Sequence, residues 1–249
     1  MSWSSTDTGS PVGSVGSFFY NDSFVSTAVS SERMVRAKAG GSSALSASVR
    51  DANTYVDVIF NEKMPFLVRT SERLFPYAVI PDFRFKVYKN ALTNRDLKVN
   101  MTHGEIHGLE TALRRAGDCQ APYLRDGQMV IGCSLIVQGV NTTFVALAKG
   151  DTLVAIWKSI WVNVVVRDTM AQFEAIAPLN RDGTLATFLL GDIKFDTTYD
   201  SDLSLNAGRR QSFKHEIENR VREELRQIFY NHYKDLLRRA VESVSFPRN

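Results

Sequence analysis

Residues 210–244 read RQSFKHEIENRVREELRQIFYNHYKDLLRRAVESV. Phe213, Ile217, Val221, Leu225 and Ile228 recur at steps of four and three, and Phe229, Tyr233, Leu237, Val241 and Val244 continue the rhythm. This spacing lays apolar side chains along one stripe of a continuous helix. The opposite face carries Glu216 with Arg220, Glu218 with Arg222 and Asp235 with Arg239, each pair one turn apart and contributing only about a few tenths of a kcal/mol. Pro247 closes the pattern. Such a helix is about 50 Å long, against ~30 Å for a compact domain, so an extended element must cover it. A coiled-coil partner is one such cover, but runs of fours drift past the 3.5-residue repeat of a left-handed supercoil. A sheet wrapped along the helix is the other. A plain amphipathic helix on an ordinary core is the simplest reading, and the length of the stripe weighs against it.

The middle of the chain supplies strands, from about Phe83 to Leu205. Phe83, Phe85 and Val87 alternate with Arg84 and Lys86, and Leu97, Val99 and Met101 with Lys98 and Asn100. The longest predicted strand spans Asp151 to Arg167, with Val154, Ile156, Ile160, Val162, Val164 and Val166 on one face. Asp126-Gly127 and Asp182-Gly183 read as hairpin turns between such runs. Ahead of the sheet, Leu45, Val49, Ala52, Val56, Ile59 and Phe60 return to helical spacing, and Pro65 is expected to end that helix. Residues 66–81 lack a period and hold Pro76 and Pro81, as in an extended connection. The order is helix, antiparallel meander, long helix, which makes the fold class α+β with the sheet curled around helices.

Residues 1–41 are rich in Ser, Gly and Thr and read as a flexible leader, leaving 42–249 as a single domain. The leader lacks the basic start and apolar run of a secretory signal; either the chain is not exported, or it is a mature form with Met1 added. The 249 residues are 44% hydrophobic and 23% charged, an ordinary globular composition. No window approaches the ~18 apolar residues of a membrane span. The net charge of +3 is dispersed, with short doublets such as Arg238-Arg239, and this excludes a nucleic-acid groove built on clustered Lys and Arg.

Cys119 and Cys133 flank Asp126 symmetrically. A hairpin turning there brings them nearly opposite, at Cα separations of ~4.5 Å that a disulfide can bridge; two buried thiols are the alternative. Asn21, Asn100 and Asn141 each open an Asn-X-Ser/Thr pattern, with Asn141 best placed in a polar turn. Such patterns with a disulfide point to the secretory route.

Gly104-Glu105-Ile106-His107-Gly108-Leu109, then Arg115-Ala116-Gly117-Asp118, then Val130-Ile131-Gly132-Cys133-Ser134-Leu135 and Gly139-Val140 resemble the central region of the arthropod group 7 mite allergens. Those proteins are part of the tubular lipid-binding superfamily, with takeout, juvenile-hormone-binding proteins and bactericidal/permeability-increasing protein. In element order the likeness covers about 43–244. It implies long helices cradled in a strongly curved antiparallel sheet, an apolar tunnel or groove between them, and binding of lipid or another apolar molecule without catalysis or cofactor. The Ser/Gly-rich leader is a departure from that pattern.

The same function follows from burial alone, since an acyl chain gains about 0.8 kcal/mol per CH₂ in an apolar cleft. The expected lining is Ile106, Leu109, Ile131, Leu135, Phe144, Leu147, Ile156, Ile160, Val162, Val221, Leu225 and Ile228, each of which could equally be plain core. The partner is then a hydrophobic small molecule or lipid, with a membrane surface, a receptor or a second copy as further partners, and the protein is secreted. The rival reading is an interaction module with a filled core and an exposed apolar patch. No nucleophile elbow, phosphate loop or His-Glu-X-X-His helix is present. His103, Glu105 and His107 alternate along a strand, but at ~6.6 Å apart they converge poorly on one ion and read as a polar stripe, so no metal is expected.

Overall fold

The computed structural model describes residues 34–247 apart from 93 and 180, with side chains from 45 onward. The leader expected over residues 1–41 lies outside the described residues up to position 33, and Met34 already begins a helix. Residues 40–249 form one compact unit, and the sites below lie in it.

Eleven strands are present among the described residues: β1 (Ala78–Ile80), β2 (Phe83–Val87), β3 (Leu97–His107), β4 (Leu113–Arg115), β5 (Tyr123–Arg125), β6 (Gln128–Val137), β7 (Asn141–Lys149), β8 (Lys158–Arg167), β9 (Thr169–Pro178), β10 (Thr184–Leu190) and β11 (Lys194–Tyr199). In the first sheet β1 and β2 share one edge of β3, which is followed by β7, β8 and β11; in the second, β10, β9, β6 and β4 are neighbours and β5 pairs β6. Every pairing is antiparallel.

The two sheets are halves of one bent meander. The chain crosses between them after β3, β6, β8 and β10, at Gly108 (φ 81°), Gly139 (φ 73°), Asp168 (φ 37°) and Gly191. Backbone hydrogen bonds continue along the bend, from Gln138 N–H to Ala112 O, Val166 N–H to Val140 O and Gly191 N–H to Met170 O. The glycines are required by contact as well as by φ. A Cβ on Gly108 would lie 2.1 Å from Gly139 O, so the two family-like glycines meet at the fold line. The architecture is α+β with a strongly curved antiparallel sheet, as the element order implied.

The first helix, α1 (Met34–Val58), continues through a wide turn (Ile59–Lys63) into α2 (Met64–Arg69). It therefore passes Pro65, which was expected to end it, and Phe66–Arg69 are helical rather than extended. Proline lacks an N–H and crowds the preceding turn of an α-helix. The wide turn just before it, closed from Met64 N–H to Ile59 O, supplies the slack.

The last helix repeats the device: α3 (Ala207–Ile228), a wide turn (Phe229–Tyr233) and α4 (Lys234–Glu242). Phe213, Ile217, Val221, Leu225, Phe229, Tyr233, Leu237 and Val241 are all buried. Steps of four rotate about 40° each around a 3.6-residue helix, so the stripe winds around the axis. The wide turn absorbs one residue, about 100° of that drift. The remaining rotation matches what surrounds the helix: α3 packs on β2 and β11 of the first sheet, α4 on β10 of the second and on α2. Phe213 meets Phe85 and Tyr199, and Phe229 meets Phe188. The ion pairs expected along the outer face are replaced by others: Glu218 accepts from Thr197 of β11 and Arg222 approaches Asp192 of the β10–β11 connection, while within the helix Arg220 binds Glu224 and Arg238 binds Asp235.

The predicted strand over 151–167 begins only at Lys158. Pairing of Ala148 with Lys158 makes the intervening residues a hairpin connection, opened by Gly150 (φ 102°) and bent again at Ala155 (φ 51°). Its apolar residues Leu153, Val154, Ile156 and Trp157 are exposed.

Candidate functional site

Nine of the expected lining residues (Ile106, Leu109, Ile131, Leu135, Phe144, Ile160, Val162, Val221 and Leu225) are buried in a single core cluster between helices and sheet. Six of these nine have no accessible surface, so not even a water molecule fits against them. Two others lie elsewhere. Ile156 is in the exposed hairpin connection, and Leu147 faces outward because β7 turns Thr142, Phe144, Ala146 and Ala148 inward. Phe144 and Leu147 are three residues apart, and a strand cannot point both to one side.

Ile228 alone among the twelve lines the cleft beside the last helix. This cleft, of about 410 Å³, opens where edge strand β1 and the segment before it approach α3 and its wide turn. Leu74, Tyr77, Ala78, Val79 and Ile228 form its apolar walls. Glu72, Arg73, Glu224, Gln227, Asn231 and His232 supply the polar groups, with Arg73 donating a hydrogen bond to His232 Nε2. Tyr233, next in the chain to His232, is buried, and burial raises its phenol above its ordinary pKa, with a smaller contribution from Glu110. The arrangement can hold an amphiphile: an apolar body against the β1 edge and a polar end on the rim. The sequence signal that was missed is Asn231-His232, two polar residues interrupting the helix in the wide turn.

Cys119 and Cys133 form a disulfide with Cα atoms 4.5 Å apart. The two-residue turn at Asp126 (φ 52°) and Gly127 (φ 75°) pairs Arg125 with Gln128 and Tyr123 with Val130, a register that would set Cys119 opposite Ser134; the hydrogen bond from Gln120 N–H to Gly132 O marks the one-residue shift that brings Cys119 to Cys133. The neighbouring family-like segment is tied to α1: Arg115 binds both Asp57 carboxylate oxygens at 3.0 and 2.8 Å, Asn53 Nδ2 donates to Asp118, and Cys119 N–H donates to Asn53. Asn100 is half-buried on the outward side of β3, and Asn141 is half-buried at the start of β7; Asn21 lies outside the described residues. Glu105 and His107 pair at 3.1 Å, while His103, at a bulge in β3 with φ 53°, turns to Thr102. The three do not converge. Among the described residues, no three His, Cys, Asp or Glu side chains gather as a metal site, and no helix is long and apolar enough to cross a membrane.

No protein-family model matches the chain. It is 44% identical over 202 residues to the salivary anticoagulant protein P23 of Ixodes scapularis, spanning 81% of this chain and 91% of that protein. The chain belongs to the P23 family. Among solved structures, the chain is similar to lipopolysaccharide binding protein at 13% identity and a TM-score of 0.43, over 77% of this chain and 38% of that one. The chain thus spans well under half the length of that protein. It is also similar to takeout 1 of Epiphyas postvittana at 11% identity and a TM-score of 0.26, over 74% and 85% of the two chains. With superpositions this partial, the fold of this P23-family chain rests on its own bent sheet and helices.

Proposed function

We propose that this chain is a non-catalytic extracellular binding protein that takes an amphiphilic, largely apolar ligand in the cleft between residues 72–79 and 224–232. In this reading residues 42–249 act as one binding domain, with Asn100 and Asn141 as glycosylation acceptors. The observation that carries it is the cleft: apolar walls from β1 and Ile228, with Arg73 and His232 at the polar end. Its position replaces a central tunnel with a groove at the sheet edge, since the helix stripe is packed solidly. Native mass spectrometry of gently purified protein tests it, together with uptake of a fluorescent fatty acid. Co-purifying apolar mass and uptake lost in Ile228→Glu support the reading; a bare chain with no uptake rejects it.

A second reading is favoured by the filled core together with the 44% identical relative being a salivary anticoagulant protein. On this reading the chain interferes with blood coagulation by binding at its surface rather than by carrying a ligand. Addition of the protein to plasma tests it: prolonged clotting time is the expected result, and an unchanged clotting time rejects it.

A further inference from the structure

At the end of the first sheet farthest from the bend, two connections stand side by side. The β2–β3 connection carries Tyr88 and Leu92, exposed to 73% and 97%; the β7–β8 connection carries Val154 and Ile156, exposed to 74% and 64%, with Leu153 and Trp157 beside them. Their adjacency is enforced from within. Arg209, buried at the start of α3, donates to the carbonyls of Arg95 in one connection and of Gly150 and Asp151 in the other. Asn90 and Asn206 exchange side-chain amide hydrogen bonds in both directions, fixing the first connection to the cap of α3.

Behind these tips lies a row of like charges. Lys86 stands opposite Lys98, and Lys98 opposite Lys149, on three neighbouring strands. Directly opposed like charges destabilise a sheet. Lys86 has Asp96 at 2.8 Å, whereas Lys98 and Lys149 have no acidic partner among the described residues. Asp151 is buried and tied to Lys158, and Asp200 and Asp202 sit in the turn after β11. The Lys86 and Lys149 ammonium groups lie over the rings of Tyr88 and Trp157, 5.1 and 4.8 Å from the centroids.

From the tip inward the order is therefore aliphatic, aromatic, cationic. That is the depth profile of a bilayer interface, with hydrocarbon deepest, Trp and Tyr at the headgroup level, and lysines facing anionic headgroups. The hydrogen bonds from Arg209 and Asn206 hold both connections in place, which keeps the ordering cost of insertion low. We propose that these two connections dock the protein on an anionic phospholipid surface. Leu92, Val154 and Ile156 enter the outer edge of the hydrocarbon, and Lys98 and Lys149 meet the headgroups.

Sedimentation of the full chain with lipid vesicles tests this docking. Vesicles of phosphatidylcholine containing phosphatidylserine should pellet the protein, and phosphatidylcholine alone should not. Val154→Asp/Ile156→Asp and, separately, Lys98→Glu/Lys149→Glu should each weaken binding at least about ten-fold, as expected for loss of apolar insertion and of two headgroup contacts. All four positions lie outside the core, and unchanged circular dichroism spectra establish that the variants fold. Because the tip is separate from the cleft, Ile228→Glu should sediment like the parent chain, and the tip variants should still take up fatty acid. Equal pelleting by both vesicle types, no pelleting by the charged vesicles, or undiminished binding by either double variant overturns the proposal.

Discussion

Arg209 in the first turn of α3 donates from Nη2 to the carbonyl oxygen of Gly150 at 3.0 Å, and the whole residue is 2% exposed. Burial pulls the guanidinium below its ordinary pKa, partly offset by Asp151 and Asp96. The cation is nonetheless kept, because it satisfies backbone acceptors of both tip connections at once. Arg209→Leu should therefore lower stability by about 3 kcal/mol, the cost of stranding buried carbonyls. Urea unfolding should register this loss, with Arg209→Lys between the two because an ammonium cannot span the same acceptors.

The fold line makes a paired prediction about glycine. Gly108 and Gly139 both have positive φ, but only Gly108 has a backbone atom where a Cβ would go. Gly139→Ala should cost about 1–2 kcal/mol for the left-handed backbone alone. Gly108→Ala should cost distinctly more, since Gly139 would have to shift. Thermal denaturation of the two variants side by side checks the order.

Removing the Cys119–Cys133 link, with 14 residues of separation, should destabilise the protein by about 3 kcal/mol on the chain-entropy account. The expected result for the Cys119→Ala/Cys133→Ala variant is a lower urea midpoint with the fold retained, because α1 still holds this segment through the Arg115–Asp57 pair.

Asp96 is held below the usual carboxylate pKa, first by the hydrogen bond from Lys86 and then by the Lys89 N–H. A carboxylate with a depressed folded-state value contributes stability that is present above its unfolded pKa of about 3.9 and is lost as pH falls through the folded value. Asp96→Asn should thus show a shallower loss of stability than the parent chain between neutral pH and the acid range, measured by urea unfolding across that window.

How much of this was legible in the amino-acid order depends on the kind of signal. The last helix could be read because eight buried residues keep a step of four, and the disulfide because counting from Asp126-Gly127 brings the two cysteines within one residue of being opposed. The inward set on β8 followed from alternation. Ile156 was misplaced because a hairpin connection composed of Leu, Val, Ile and Trp has the composition of a strand, and only the partner β7, which must also turn, reveals the break. Leu147 was misplaced against the parity rule itself. The cleft escaped notice because one wall comes from the aperiodic positions 72–79 and the other from Glu224, Gln227, Ile228, Asn231 and His232, which flank the buried step-of-four stripe of the last helix. Whether the inner surface encloses space is decided by side-chain packing, which alternation does not encode.

The wide turn at Phe229–Tyr233 means that the two ends of the last helix are phased by a single added residue. Deleting one position there would restore an ordinary α-helix and leave Leu237, Val241 and everything after them against β10 and α2, whereas winding all of these residues into a regular helix would swing them by about 100°. Within this family, then, a one-residue gap at that point in an alignment would signal loss of the wide turn with the carboxyl-terminal end of the helix seated as before, whereas the same gap within α3 or α4 would re-phase everything after it.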